Sequence, residues 1–447
     1  MKKSLYWLAL FWLKFWARIV LRRSKPYIIG VTGSAGKSSA VAAMEPVIKL
    51  KFPRLKVARK ANSESGIPAD ILGLHFGESA SPLLDWLRIC FLAPFRVFPL
   101  AFGLWPLALN FDAYLVEMGV DEPTPPKNMG YLLTIFQPDM GVILNVLPVH
   151  AEQFERAAKG RTLINYIAAE KGKLITENPN LRLAILNADQ SEINSLKPSS
   201  AAINILTFGK NPKADITVLS IKPSLRQTEV ILQYKKQEYF IKLNQLALPD
   251  FYGYTFAAAF AVGVALGLKP NDIAKAISTG FILPPGRGQI FTGIKNITII
   301  DSSYNASRET MVGSLKLLRT IAGKRRKTAV LGDMRELGSQ AEKEHMSVAK
   351  TILETADQAV LGGTLMGKFV LPYLEKHSFQ TQWFPTAGHA ARFLTANLGG
   401  GEVILVKGSQ NTIFLEIVVE ALLSNKEDVK NLCRRGKFWD KQRLPYS

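Results

Sequence analysis

Cysteine is scarce: Cys90 and Cys433 are the only two in 447 residues. That is too few for a disulfide framework or a cysteine-rich metal site, and it suits a reducing compartment. Acid is scarce too, with 36 Asp and Glu against 56 Lys and Arg, for a net charge of +20. Such a surplus fits nucleic acid, an anionic membrane surface or anionic substrates. No zinc-ligand spacing, RNP-like motif or basic-zipper pattern is present, so nucleic acid fits least. There is no internal repeat and no low-complexity tract. No long apolar run is free of interruption: Leu5–Leu21 contains Lys14 and Arg18, and Leu83–Leu109 contains Arg88, Arg96 and several prolines. What is present is ample core material, 47% hydrophobic against 21% charged, in a chain long enough for about two or three domains.

The chain is organised around Tyr27–Ala40, YIIGVTGSAGKSSA. A short apolar run, Tyr27–Val31, predicts a buried strand. It leads into Gly33-Ser34-Ala35-Gly36-Lys37-Ser38 and then into helix-forming residues. Glycines let backbone N–H groups approach phosphate oxygens, and the helix N-terminus adds partial positive charge. Lys37 adds a full one, and the Ser38 hydroxyl can hold Mg²⁺. The full Walker pattern has a glycine five residues before Gly36. Here that position is Val31, so the loop is a shortened G-x-x-G-K-S.

Residues 1–25 predict a helix. Lys3, Lys14, Arg18 and Arg22 share one sector of its wheel, with Trp7 and Phe11 intruding. Aromatics with a basic edge suit a helix lying in a membrane interface. Packing on the protein's own surface and crossing the bilayer are the alternatives. Crossing would bury two cations. A secretory signal fits poorly, because no small-residue cleavage site precedes Arg22-Arg23. For Leu83–Leu109 the prolines argue against one continuous spanning helix. That stretch joins the first helix at a membrane or packs under it.

Further along, Phe111–Gly119 and Pro138–Asn145 read as buried strands. They are followed by a carboxylate, Glu117, and an imidazole, His150, where open α/β sheets bind ligands. Ile167–Ile175 reads as a helix carrying Lys171. Leu183–Asn187 and Ile203–Phe208 are expected strands. Asp215–Leu243 alternates as a hairpin around Leu225-Arg226-Gln227. Phe256–Leu268 is an Ala-rich core helix, and Pro284–Gly288 is a breaker cluster marking a boundary. Beyond it, strands at Ile297–Asp301, Thr328–Leu331, Gln358–Leu361 and Val403–Val406 alternate with helices starting near Arg308, Ala341 and Asn411. That rhythm implies a second, mostly parallel sheet. The basic, aromatic tail Cys433–Trp439 reads as surface-packed, with membrane contact as the alternative. The expected fold class is α/β.

These motifs, in this order, resemble the Mur ligase family. They are VTGSAGKSS at Val31–Ser39, NSESGIP at Asn62–Pro68, LVEMG at Leu115–Gly119, PDMGVILNVLPVH at Pro138–His150 and AEKGKLI at Ala169–Ile175. LNAD at Leu186–Asp189, GRGQ at Gly286–Gln289, IDSSYNAS at Ile300–Ser307, VLGDMRELG at Val330–Gly338 and VKGS at Val406–Ser409 follow. The resemblance covers about Tyr27 to Leu422. After the helix read over 1–25, it implies a P-loop ATP-binding central domain over 26–288 and a Rossmann-like C-terminal domain over 289–447. It further implies an ATP-dependent carboxylate–amine ligase working through an acyl phosphate. The substrates would be a peptidoglycan-precursor-like peptide and an amino acid or dipeptide amine; SYNAS with LGDMRELG favours the branch that adds D-alanyl-D-alanine.

By the same resemblance, Thr32, Gly33, Ser34, Ala35, Gly36, Lys37, Ser38 and Ser39 cradle ATP. Arg287, Asp301, Tyr304 and Asn305 contact it across the cleft, and Asn145 sits near the phosphates. Two Mg²⁺ ions are held by Ser38, Glu117, His150 and a carbamylated Lys171. Lys37, Lys171, His150 and Asn145 are the expected catalytic set. The expected location is cytoplasmic, at the inner face of the cell membrane.

The sequence departs from the family in several places. Only about 25 residues precede the ATP domain where relatives carry a domain for the UDP end of the substrate. That opens the alternative of a lipid-linked substrate. Pro249-Asp250-Phe251-Tyr252 replaces G-x-H-N, Thr255 replaces an asparagine, Lys173 a glutamate and Ser302 an aspartate. Other amide-forming relatives, cyanophycin-synthetase-like or folylpolyglutamate-synthetase-like, are rival readings. A non-catalytic nucleotide-binding membrane scaffold is the reading from another class.

Overall fold

The computed structural model describes residues 3–447 other than 60, 78–80, 104–108, 149–150, 156, 158–159, 161, 245 and 410–412. Two sheets organise it. The first has nine strands in the order β2-β3-β1-β4-β5-β6-β7-β8-β9. They are β1 Tyr27–Thr32, β2 Leu55–Val57, β3 Ala113–Glu117, β4 Met140–Ile143, β5 Leu183–Asn187, β6 Asn204–Gly209, β7 Ile216–Pro223, β8 Gln227–Tyr234 and β9 Gln237–Asn244. From β2 through β7 the neighbours are parallel; β7, β8 and β9 are antiparallel. The second sheet has six strands in the order β10-β11-β15-β12-β13-β14. They are β10 Gln289–Thr292, β11 Thr298–Ser302, β12 Lys327–Gly332, β13 Gln358–Gly362, β14 Thr381–Phe384 and β15 Val403–Lys407. Only β10 runs antiparallel there. The fold is α/β with mixed, mostly parallel sheets.

Seven helices precede β5: α1 Lys3–Ser24, α2 Lys37–Lys49, α3 Gly66–Ile71, α4 Pro82–Ala101, α5 Met129–Ile135, α6 Ala151–Glu155 and α7 Leu163–Thr176. Alternation along the first sheet's strands feeds two cores. On β1 and β3, Ile28, Tyr114 and Val116 point to the side covered by α1, α4, α5 and α7. Ile29, Val31 and Leu115 point to the side covered by α2 and the helix Tyr252–Ala265. A parallel sheet covered on both faces explains why these strands read as continuous apolar runs.

One sequence expectation is corrected. Asp215–Leu243 is a three-stranded meander, not one hairpin. Its second turn is Lys235-Lys236, both with positive φ (48° and 65°), the conformation a two-residue hairpin turn needs at both central positions. Lysine carries none of the Gly, Asn or Asp signal that usually marks such a turn. As expected for Leu83–Leu109, α4 is not, among the described residues, a helix long and apolar enough to cross a membrane, although it runs unbroken through Pro94 and Pro99 as far as Ala101. Pro94 has no N–H to give the Cys90 carbonyl, and the Trp12 indole N–H from α1 donates to that carbonyl instead, at 2.9 Å. The tail also packs inward, with Cys433 and Arg434 buried.

Candidate active site

β1 lies between β3 and β4, pairing with both, so the loop after it opens at the C-terminal edge of the sheet, where such sheets bind ligands. Thr32 is buried and donates to the Met118 carbonyl at 3.0 Å. Gly36 takes φ 79° and ψ 0° as it caps α2, a left-handed conformation that favours glycine. Asn145, just past β4, fastens the loop: its side chain accepts from Ala35 N–H at 2.8 Å and donates to Ala35 C=O at 2.9 Å. Ser34 N–H donates to the Asn145 carbonyl at 3.0 Å, and the Ser34 hydroxyl exchanges hydrogen bonds with Leu147. Asn145→Ala removes both side-chain bonds and is expected to cost about 1–3 kcal/mol. Calorimetric titration with a nucleotide should show weakened binding, because the loop amides lose their fixed aim.

Lys37 is half-buried, and Nζ donates to the Gly33 carbonyl at 2.7 Å. Burial lowers its pKa, while Glu117 and Asp121 pull it back up. Glu117 ends β3 opposite Val31 and is half-buried. Lys171, on α7, is buried with Nζ 3.5 Å from the Val120 carbonyl. Burial, with the charge of Lys37 added, brings its pKa down to about 7 against the partial opposition of Asp121 and Glu170. Glu170 accepts from Met129 N–H at 3.0 Å and pairs with Lys173 at 2.8 Å. His150 lies outside the described residues.

The second sheet closes on this loop. Arg287, in the turn before β10, donates to the Ser38 hydroxyl at 2.9 Å. Tyr252 holds the arginine's carbonyl at 2.7 Å and comes within 3.4 Å of the Ser39 hydroxyl. The Arg287 guanidinium sits 4.4 Å from the Tyr304 ring centroid. Asp301 is fully buried at the end of β11. One carboxylate oxygen accepts from Ser303 N–H at 3.0 Å, and the other has no partner among the described residues. Asn305 is exposed; its side chain accepts from Ala306 N–H at 2.8 Å, and its carbonyl from Lys407 Nζ at 3.0 Å. Burial, with Arg287 nearby, lowers the Lys407 pKa to about 7. A second link between the two units is Ser339 Oγ to Glu155 at 2.7 Å.

Three contributors carried no assigned role from sequence: Tyr252, Lys407 and Arg434. Arg434 comes from the tail, places its guanidinium 5.3 Å from the Tyr304 ring centroid, and pairs with the buried Glu416 at 2.7 Å. A basic tail gives no local signal that one arginine turns inward. Arg434→Gln leaves Glu416 buried and unpaired, an expected cost of about 3–5 kcal/mol, checked by denaturant unfolding.

Oxygen donors at Ser38 and Glu117 suit Mg²⁺, a hard cation. The Lys171 amine suits it only if converted to an oxygen ligand. Among the described residues no group of three or more His, Cys, Asp or Glu side chains is arranged around a metal position.

A phosphate loop at the C-terminal edge of one sheet, met by Arg287 from the turn that leads into a second sheet and by Tyr304 just past β11, defines a nucleotide-binding cleft closed by two α/β units. Two family descriptions match, the Mur ligase middle domain over residues 109–263 and the Mur ligase glutamate ligase domain over 286–410. The chain belongs to the Mur ligase family. It is 24% identical over 398 residues to the UDP-N-acetylmuramoyl-tripeptide–D-alanyl-D-alanine ligase of Rickettsia prowazekii, covering 88% of this chain and 78% of that one. The same enzyme of Escherichia coli is 23% identical, with 89% and 77% covered. Among solved structures, the MurF ligase of Thermotoga maritima in complex with ADP superposes with TM-score 0.69 at 20% identity, over 94% of this chain and 84% of that one.

Proposed function

We propose that this ligase joins a peptidoglycan-precursor peptide to D-alanyl-D-alanine. The observation that carries the reading is the closed pair Lys37–Ser38 and Arg287, with a buried, near-neutral Lys171 feeling the charge of Lys37. The relatives named above supply the substrate classes. The central unit over 26–288 binds ATP, the unit over 289–447 closes on it, and the reaction runs in the cytoplasm, where ATP is available.

The loop amides of Gly33–Ser39 and Lys37 hold the β- and γ-phosphates, and Arg287 neutralises the charge that develops on the transferring group. Tyr304, Asp301 and Asn305 place the nucleotide from the far side of the cleft. A substrate carboxylate oxygen attacks the γ-phosphorus; ADP leaves and an acyl phosphate forms. The amine then attacks the acyl carbon, the C–O bond breaks, and phosphate departs with the oxygen that belonged to the carboxylate. Ser38, Glu117, His150 and a carbamylated Lys171 would hold two Mg²⁺ ions, which when bound would further neutralise the phosphates. Lys171 suits that role because an amine that is neutral near pH 7 adds to CO₂, forming an N–C bond and releasing a proton, and so gains anionic oxygens. Arg287 donates to the Ser38 hydroxyl in the structure, a contact that would have to give way if that oxygen held a cation.

The test is phosphate release from ATP with a UDP-linked muramyl tripeptide and D-alanyl-D-alanine, each also omitted in turn. Release that needs both supports the proposal. Turnover only with a lipid-linked precursor moves the acyl donor, and release indifferent to either substrate overturns the assignment.

A further inference from the structure

α1 and α4 lie side by side and run in the same direction. Tyr6 packs edge-on against Trp86, Trp12 donates to Cys90 and Arg23 donates to Leu100. Each helix gives one side to the protein: Leu10, Leu13, Ala17 and Val20 of α1 are fully buried, as are Ile89 and Ala93 of α4. The other side of each is apolar and faces outward. On α4 and at its C-cap the outward positions Leu84, Leu87, Phe91, Phe95, Phe98 and Phe102 recur every three or four residues. The four phenylalanines are 67, 60, 65 and 69% exposed. On α1, Leu5, Leu8, Trp12 and Phe15 form the matching stripe. Contiguous exposed apolar surface of this kind marks an interaction site.

Charge selects the occupant. α1 contains no acidic residue, and the only one in α4, Asp85, is buried and accepts from Gly77 N–H at 2.6 Å. Arg18 and Arg22 on α1, next to its apolar stripe, are exposed. A second copy laid on this face would set arginines against arginines with no carboxylate between them, and like-charge juxtaposition opposes association. An anionic lipid surface answers the arginines and takes the aromatics into its boundary region. We propose that the α1–α4 face docks this protein on an anionic bilayer, with both helices lying in the plane of the interface. Crossing is excluded for α1 by its inner side, because Leu13, Ala17 and Val20 share a core with the sheet residues Tyr114 and Val116. The docked helix is also tied to the ligand end of the first sheet. The Tyr6 hydroxyl donates to Glu64, and Asn62 in the same turn holds Gly119 N–H at 2.9 Å, just beyond Glu117.

This inference does not depend on the ligase reading: Lys37→Ala should bind vesicles as the unaltered chain does. The experiment is co-sedimentation of the full chain with vesicles of phosphatidylcholine alone or mixed with phosphatidylglycerol. The expected result is binding to the mixed vesicles that weakens with salt. Phe91→Asp/Phe95→Asp and Arg18→Glu/Arg22→Glu should each reduce it at least about tenfold, with thermal melting and nucleotide binding unchanged as evidence that these variants fold. Failure of the full chain to sediment with phosphatidylglycerol vesicles, or sedimentation of both variants like the full chain, overturns the proposal. A lipid-free dimer that Phe91→Asp/Phe95→Asp makes monomeric, with no vesicle binding, assigns the face to a second copy instead.

Discussion

Lys37→Ala is expected to lower the rate of ATP-dependent turnover by about 10²–10³-fold or more, the usual cost of removing one preorganised charge at a transferring phosphoryl group. The side chain is half-buried against the loop that leads into α2, so its charge is only partly screened by solvent. The same burial depresses its pKa, which means that the fold holds this cation at a cost. Its removal should therefore leave the melting temperature unchanged or higher. Activity lost with stability kept separates a functional lysine from a structural one. A variant that keeps its turnover rate contradicts the loop assignment.

Lys171→Ala is expected to cost a similar factor, and here pH supplies a second signature. Lys171 has a pKa of about 7 in the folded chain, against 10.5 ordinarily. Below about pH 7 the amine is protonated and does not add to CO₂; above it, the neutral form does. Turnover should thus rise through about pH 7 and depend on bicarbonate after the protein has been stripped of CO₂ at lower pH. Stability follows by linkage. Between 7 and 10.5 the unfolded chain holds a proton at this site that the folded chain has lost, so the contribution to stability rises with pH across that window. Below it, the burial cost of the cation is present in full. Removing the amine should therefore stabilise the protein most at low pH. Turnover indifferent to bicarbonate, with a Lys171→Ala variant as active as the unaltered chain, contradicts the role.

The phosphate loop was legible because its signals are local: an apolar run, glycines at turn positions, and Lys-Ser at a helix start. The parallel rhythm of the second sheet was legible for the same reason. What escaped is tertiary in origin. The Lys235-Lys236 turn adopts positive φ without the residues that favour it. α4 tolerates Pro94 because Trp12, 78 residues away, supplies the missing donor. The short edge strands β2, β10 and β14 carry too few residues to show a period. Arg434 looked like one more surface cation in a basic tail, yet it is buried against Glu416 and Tyr304. Lys171 reads in isolation as a solvated helix lysine; only packing, which the sequence does not display, lowers its pKa. Of the readings that the sequence offered for the N-terminal helix, the structure describes packing on the protein's own surface, with one side buried and the other presenting apolar residues outward.

The central claim, amide formation through an acyl phosphate, is tested most directly by following the carboxylate oxygen. The acyl substrate is labelled with ¹⁸O in the reacting carboxylate and turned over with ATP and the amine, and the released phosphate is weighed by mass spectrometry. With both carboxylate oxygens labelled, one ¹⁸O in each phosphate released is the predicted result, the other remaining in the amide carbonyl. Phosphate free of label, with the amide formed, contradicts the acyl phosphate and with it the proposed chemistry of the Lys37–Arg287 cleft.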